Sequence, residues 1–177
     1  MEYLHLNIKG FDTDLPILPL PSGIRIAFFN LHGNTLMTEH CGKEIAKLVQ
    51  GCDVVITAES KGLQLAHVTA RELGQPFYAV CRKSKKLYMQ DGIETSVKSI
   101  TTGYDQTLYL SKHDADLLKG KKVAIVDDVV STGGSLLGLE QIVQKAGGTV
   151  WRKAFVLAEG EAKDREDIVY LQTIPLL

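Results

Sequence analysis

Two carboxylates, three hydroxyls and a glycine pair crowd into one short stretch: Asp127-Asp128, two valines, then Ser131-Thr132-Gly133-Gly134-Ser135. Consecutive glycines let a backbone turn tightly and approach a ligand with no Cβ in the way. The amides of residues 131–135 can then converge on one concavity, and the start of the following helix adds roughly half a positive charge. Ser131, Thr132 and Ser135 contribute hydroxyl donors. Such a nest holds a phosphate monoester without a lysine. The carboxylates would repel that anion, so they accept hydrogen bonds from sugar hydroxyls or contact hydrated Mg2+. A ribose 5-phosphate meets both requirements.

The elements around this stretch must place both acids on one ligand. Residues 123–126, Val-Ala-Ile-Val, form a buried strand. Neighbours on a strand face opposite sides, so both carboxylates reach the same ligand only if the strand ends at them. The glycine turn downstream suggests that it does. A plain strand-to-helix corner, or a receiver-type metal site, could also carry acids here. The nucleotide loops G-x-x-x-x-G-K-[ST] and G-x-G-x-x-G are absent.

Elsewhere short apolar strands alternate with helices. Strands are expected at 24–29, 53–58, 77–81, 123–126, 149–157 and 168–171, and helices at 35–49, 62–73 and 135–145, the last closed by Ala146-Gly147-Gly148. This alternation predicts an α/β fold, a mostly parallel sheet flanked by helices with ligands at the carboxyl ends of its strands. Pro16, Pro19 and Pro21 predict an irregular or edge-strand start, because proline cannot donate to a sheet ladder. The polar segment 83–107 breaks the alternation and reads as a two-stranded flexible flap.

The bulk composition narrows the classes. The 177 residues are 45% hydrophobic, a proportion ordinary for a globular chain, and fit one domain. A formal charge of −1 provides no global field for nucleic acid, so an anion needs a focused site. Cys41, Cys52 and Cys81 have no metal-ligand spacing and are expected to be small core residues. Trp151 and Phe155 are assigned to the core as well. The first residues lack the basic region and apolar block of a signal peptide, and no run approaches a membrane span. The expected location is the cytoplasm, with no membrane or nucleic-acid partner.

The stretch VAIVDDVVSTGGS resembles the signature by which type I phosphoribosyltransferases bind phosphoribosyl pyrophosphate (PRPP). Over roughly residues 24–157 the chain is similar to the adenine phosphoribosyltransferase branch. The resemblance implies Mg2+-dependent transfer of phosphoribose from PRPP to a purine base, adenine first, by a homodimer. Asp127 and Asp128 become the catalytic and metal-binding acids. Glu59-Ser60-Lys61-Gly62 matches the pyrophosphate loop Glu-Ser-Arg-Gly, with lysine in place of arginine. Arg82-Lys83 matches a pyrophosphate-binding pair, and Lys86 partly matches the lysine that follows it. Residues 1–34 would form a hood over the base. The branch also carries a flap glutamate for proton handling. That glutamate is missing here, and Asp105 is the acid assigned in its stead. Two further readings remain open: a regulator that senses PRPP without turnover, and an enzyme of the same fold acting on xanthine, hypoxanthine or another base.

Overall fold

The computed structural model describes residues 2–98 and 105–177. In chain order the elements are β1 (Tyr3–Ile8), β2 (Phe11–Pro19), β3 (Arg25–Ala27), α1 (Thr35–Leu48), β4 (Val54–Ala58), α2 (Leu63–Glu72), β5 (Ala79–Cys81), β6 (Ile93–Lys98), β7 (Asp105–Leu110), α3 (Lys112–Leu118), β8 (Lys122–Val130), α4 (Gly134–Lys145), β9 (Thr149–Glu159), a 3-10 turn (Gly160–Asp164) and β10 (Val169–Ile174).

Five of the strands form a parallel sheet in the order β10-β9-β8-β4-β5. Its central strands are apolar because both faces are covered. Side chains alternate between two cores: Val55, Ala124 and Val126 face α1 and the N-terminal strands, whereas Val54, Ile56, Val123 and Ile125 face α3 and α4. Burying each such side chain contributes about 1.5–3 kcal/mol. Truncating Ile56, which is fully buried at the centre, would cost about 2–5 kcal/mol.

The chain winds outward from β4 to β5, then returns to β8 on the other side of β4. This reversal is the topological switch point of the sheet, where a crevice opens beyond the strand ends. The β4–β8 ladder stops at Ile56 opposite Ile125, while β8 stays paired with β9 as far as Val130 opposite Ala158. The two central strands therefore separate at their carboxyl ends.

Several expectations need correction. The strand expected at 123–126 runs on to Val130, because its partner β9 continues beside it. The N-terminus is a three-stranded antiparallel sheet, and Pro16 and Pro19 lie on its middle strand rather than on an irregular segment or an edge strand. Alternation in Leu4, Leu6 and Ile8 builds β1, and Lys9 and Gly10 at positive φ make the hairpin turn into β2. Helix α3, absent from the sequence expectation, is started by Ser111, whose hydroxyl accepts from Asp114 N–H at 3.1 Å. Phe155 is buried, but Trp151 is 42% exposed; its indole donates to Gln50 O and lies under Lys122 Nζ. Cys41 and Cys81 are core residues, whereas Cys52 is only half-buried.

The polar segment does form a hairpin, β6 with β7. One face of it packs on α4: Val97 and Leu108 are buried, and a Cβ on Gly138 of α4 would lie 2.6 Å from Leu108 and 3.3 Å from Val97. Among the described residues no helix is long and apolar enough to cross a membrane.

Candidate active site

At the switch point β8 delivers Asp127 and Asp128, both buried. Since the strand continues through them, their side chains leave from opposite faces, contrary to the expected strand end. Asp127 belongs to a pocket of about 160 Å3 that it shares with Ser131, Thr132, Gly133, Gly134 and Ser135. Asp128 faces the loop after β4, where Lys61 Nζ lies 3.3 Å from its Oδ2. One ligand can still reach both acids, because it can lie in the gap that β4 leaves beside β8. The N–H of Asp128 is taken up at 2.9 Å by Asp127 Oδ1 instead of by a neighbouring strand.

Two like charges meet in this gap. Burial first, and the neighbouring Asp128 carboxylate second, push the Asp127 carboxyl up to about 7. Lys83 acts in the opposite direction on the same group. Asp128 Oδ2 is buried without a hydrogen-bond partner, and so is Thr57 Oγ1, one strand away. The Lys61 ammonium near Asp128 is an ion pair without hydrogen-bond alignment; its own hydrogen bond goes to Phe29 O at 2.9 Å.

The loop after β4 fits closely against β8. A Cβ on Gly62 would stand 2.5 Å from Asp127 Oδ1 and 2.6 Å from Thr57 Oγ1, so only glycine lets this backbone approach. Glu59 receives Arg82 Nη1 at 2.5 Å, and the Arg82 guanidinium lies 5.8 Å from the Tyr88 ring centroid. Arg82 is fixed at its backbone by paired bonds with Tyr109 of β7 at 2.8 Å. Ser60 turns back on Ala58 O through its N–H and hydroxyl.

The loop after β8 is built differently. Gly133 adopts φ +83°, a left-handed conformation that an L side chain resists, and no side chain caps the first N–H groups of α4. Ser131, Thr132, Gly134 and Ser135 are exposed beside them. Free amides, hydroxyl donors and a helix N-terminus converge here, an arrangement that accepts a phosphate group.

The structure thus brings together Asp127, Asp128, Lys61, Gly62 and the nest 131–135, with the Glu59–Arg82 pair and Lys83 on the same side. Lys86 has an exposed side chain that makes no hydrogen bond or ion pair among the described residues. Asp105 opens β7, and its side chain, like residues 99–104 before it, lies outside the described residues. Thr57 was missed in the sequence; a hydroxyl inside an otherwise apolar strand was the available signal. A separate cavity of about 550 Å3 lies between α1 and α2, lined in part by His32, Glu39, His67 and Tyr78, and includes none of the residues named for the site.

The acids suit a hard cation. Their donors are carboxylate oxygens, one of them buried and unpartnered, and Asp127 is disfavoured as an isolated anion. No cluster of three or more metal-binding side chains occurs among the described residues. Such a pair matches Mg2+, which is typically held by one or two carboxylates and completed by phosphate and water oxygens.

Known proteins share these features. The phosphoribosyl transferase domain family matches residues 30–175. An adenine phosphoribosyltransferase of Methanococcus maripaludis is 34% identical over 132 residues, 73% of each chain. A xanthine phosphoribosyltransferase of an Exiguobacterium species is 31% identical over 146 residues, 81% of this chain and 74% of its own. The solved adenine phosphoribosyltransferase of Thermoanaerobacter pseudethanolicus has the same fold, with a TM-score of 0.75 at 23% identity, covering 90% of this chain and 95% of that one. With the family match spanning both loops of the switch point, this chain belongs to the phosphoribosyl transferase domain family.

Proposed function

We propose that the protein transfers the 5-phosphoribosyl group of PRPP to a purine base, adenine first, releasing pyrophosphate. The observation that carries this is the joining of a cation-free phosphate nest to two buried carboxylates in one crevice. The amides and hydroxyls of 131–135 would accept the 5-phosphate, and the carboxylates of Asp127 and Asp128 would accept hydrogen bonds from the ribose hydroxyls. Lys61, Arg82 and Lys83 would meet the pyrophosphate. Asp127 and Asp128 would hold Mg2+, which would supply charge neutralisation at the leaving group.

A ring nitrogen of the base forms the new bond to C1′ as the bond from C1′ to pyrophosphate oxygen breaks, and the ring N–H proton of the base passes to water. Positive charge develops on the ribose in this step, so the protein contributes mainly by positioning and by electrostatic stabilisation beside Asp127 and Asp128. The sheet hairpin β6–β7 with the segment from residue 83 would exclude water, and residues 1–34 would cover the base. We further propose a cytoplasmic location and, as the resemblance implies, a homodimer.

A specific observation favours a second base: xanthine phosphoribosyltransferases stand beside adenine enzymes among the relatives. Incubation with PRPP, Mg2+ and each of adenine, guanine, hypoxanthine, xanthine and orotate, followed by pyrophosphate release, tests both readings. Turnover with adenine is expected. Turnover with xanthine alone moves the assignment to the second base, and tight PRPP binding without any turnover would leave a sensor of PRPP.

A further inference from the structure

The loop after β8 is built from neutral donors alone. Residues 131–135 contain no cation, and two buried carboxylates stand two valines before them. Amide dipoles alone must then hold a dianion against the field of neighbouring acids. The structure places a cation on this loop from a distant part of the chain. A Cβ built on Gly133 would fall on Arg165 Nη1, so the guanidinium packs directly on the loop backbone. Gly133 is required for this approach as well as for its positive φ.

Arg165 is also held rigidly. Its Nε and Nη2 donate to the two oxygens of Asp167 at 2.9 and 2.7 Å, the forked geometry that fixes a guanidinium plane. Asp167 accepts as well from Lys153 Nζ at 2.5 Å, and Lys153 donates to Glu140 of α4 at 2.6 Å. These pairs tie Arg165 to the helix whose N-terminus makes the nest. The arginine side chain is 32% exposed, less than a free surface arginine. Two of its three nitrogens are engaged, and among the described residues Nη1, the one toward Gly133, has no acceptor.

We propose that Arg165 binds the phosphoryl end of the substrate: held by Asp167 against Gly133, it adds a fixed guanidinium donor to a loop that has no cation of its own. This rests on the function proposed above and adds a residue to its phosphate site. Lysine at this position would keep the charge but lose the forked attachment.

Calorimetric titration of the full chain with ribose 5-phosphate and, separately, with pyrophosphate tests the proposal. In R165Q, affinity for ribose 5-phosphate should fall about tenfold, the loss of one charge-assisted contact, while pyrophosphate binding stays as in the wild type. R165K should fall between the two. D167N, which frees the guanidinium without removing it, should weaken ribose 5-phosphate by a smaller factor. In turnover, KM for PRPP should rise while kcat changes less. Unchanged ribose 5-phosphate affinity in R165Q, or an equal loss for both ligands, overturns the proposal. If circular dichroism shows R165Q unfolded, R165K and D167N decide: wild-type affinity in both overturns it as well. Failure of the wild type to bind ribose 5-phosphate would sink the function reading instead, which keeps the two ideas separable.

Discussion

The loops after β4 and β8 both lead from a buried parallel strand into a helix that no side chain caps. Across the crevice they differ in how they treat charge. The loop after β4 carries Glu59 and Lys61, and the site's cations there already have partners: Lys61 with Asp128 and Phe29 O, Arg82 with Glu59. The loop after β8 carries no charge and leaves its amides open. Helices α1 and α3, away from the crevice, are closed by Asn34 and Ser111. The contrast separates two ways of holding an anion. A neutral nest is ready-made and costs little to fill, whereas a charged loop must exchange internal ion pairs for the ligand.

The largest expected effect breaks the element common to both loops. Asp128→Asn, which faces Lys61, and Asp127→Asn, which faces the nest, should each lower kcat/KM for PRPP by about a hundredfold or more. Steady-state kinetics checks this, and unimpaired activity in both variants would remove the carboxylates from the site.

Stability against pH probes the same gap without ligand. The folded Asp127 carboxyl is raised to about 7, whereas the unfolded value is about 3.9. Between these values the folded state binds the extra proton. Its contribution to stability is therefore fully present below the unfolded value and is lost as pH rises through the folded one. Thermal melts of metal-free protein should fall across this window, and Asp127→Asn should flatten the decline. An unchanged slope in the variant would show that Asp127 is not the group responsible.

The charged loop is tested by Lys61→Ala. Pyrophosphate affinity should weaken about tenfold while ribose 5-phosphate binding changes less, since the ammonium lies on the Asp128 side and not in the nest. Titration calorimetry with the two ligands gives the answer, and equal losses would erase the distinction between the loops. The smallest effect lies at a capped helix: Asn34→Ala should cost about 1 kcal/mol in denaturant unfolding and leave both affinities alone.

Legibility followed locality. The nest 131–135 was readable because its glycines, hydroxyls and helix start are contiguous, and the parallel sheet was readable because strands buried on both faces are continuously apolar. The length of β8 was not, since nothing in Asp127-Asp128 announces that β9 will go on pairing beside it. Helix α3 is not legible in the sequence although Ser111 and Asp114 stand at capping distance, because its seven residues are too few for a clear apolar period. Trp151 has the residue type of a core position, yet Gln50 and Lys122 hold it at the surface.

For this protein the sequence alone determined what the nest 131–135 is made of, because a backbone nest is written in consecutive residues whose φ preferences and donors are local. Tertiary structure decided what surrounds it. Lys61 meets Asp128, Gly62 admits the Asp127 carboxylate, and Arg165 reaches Gly133 only after the strand order has been set. Those contacts depend on which strands are neighbours and where their ladders stop, and that outcome belongs to the packing of the whole sheet.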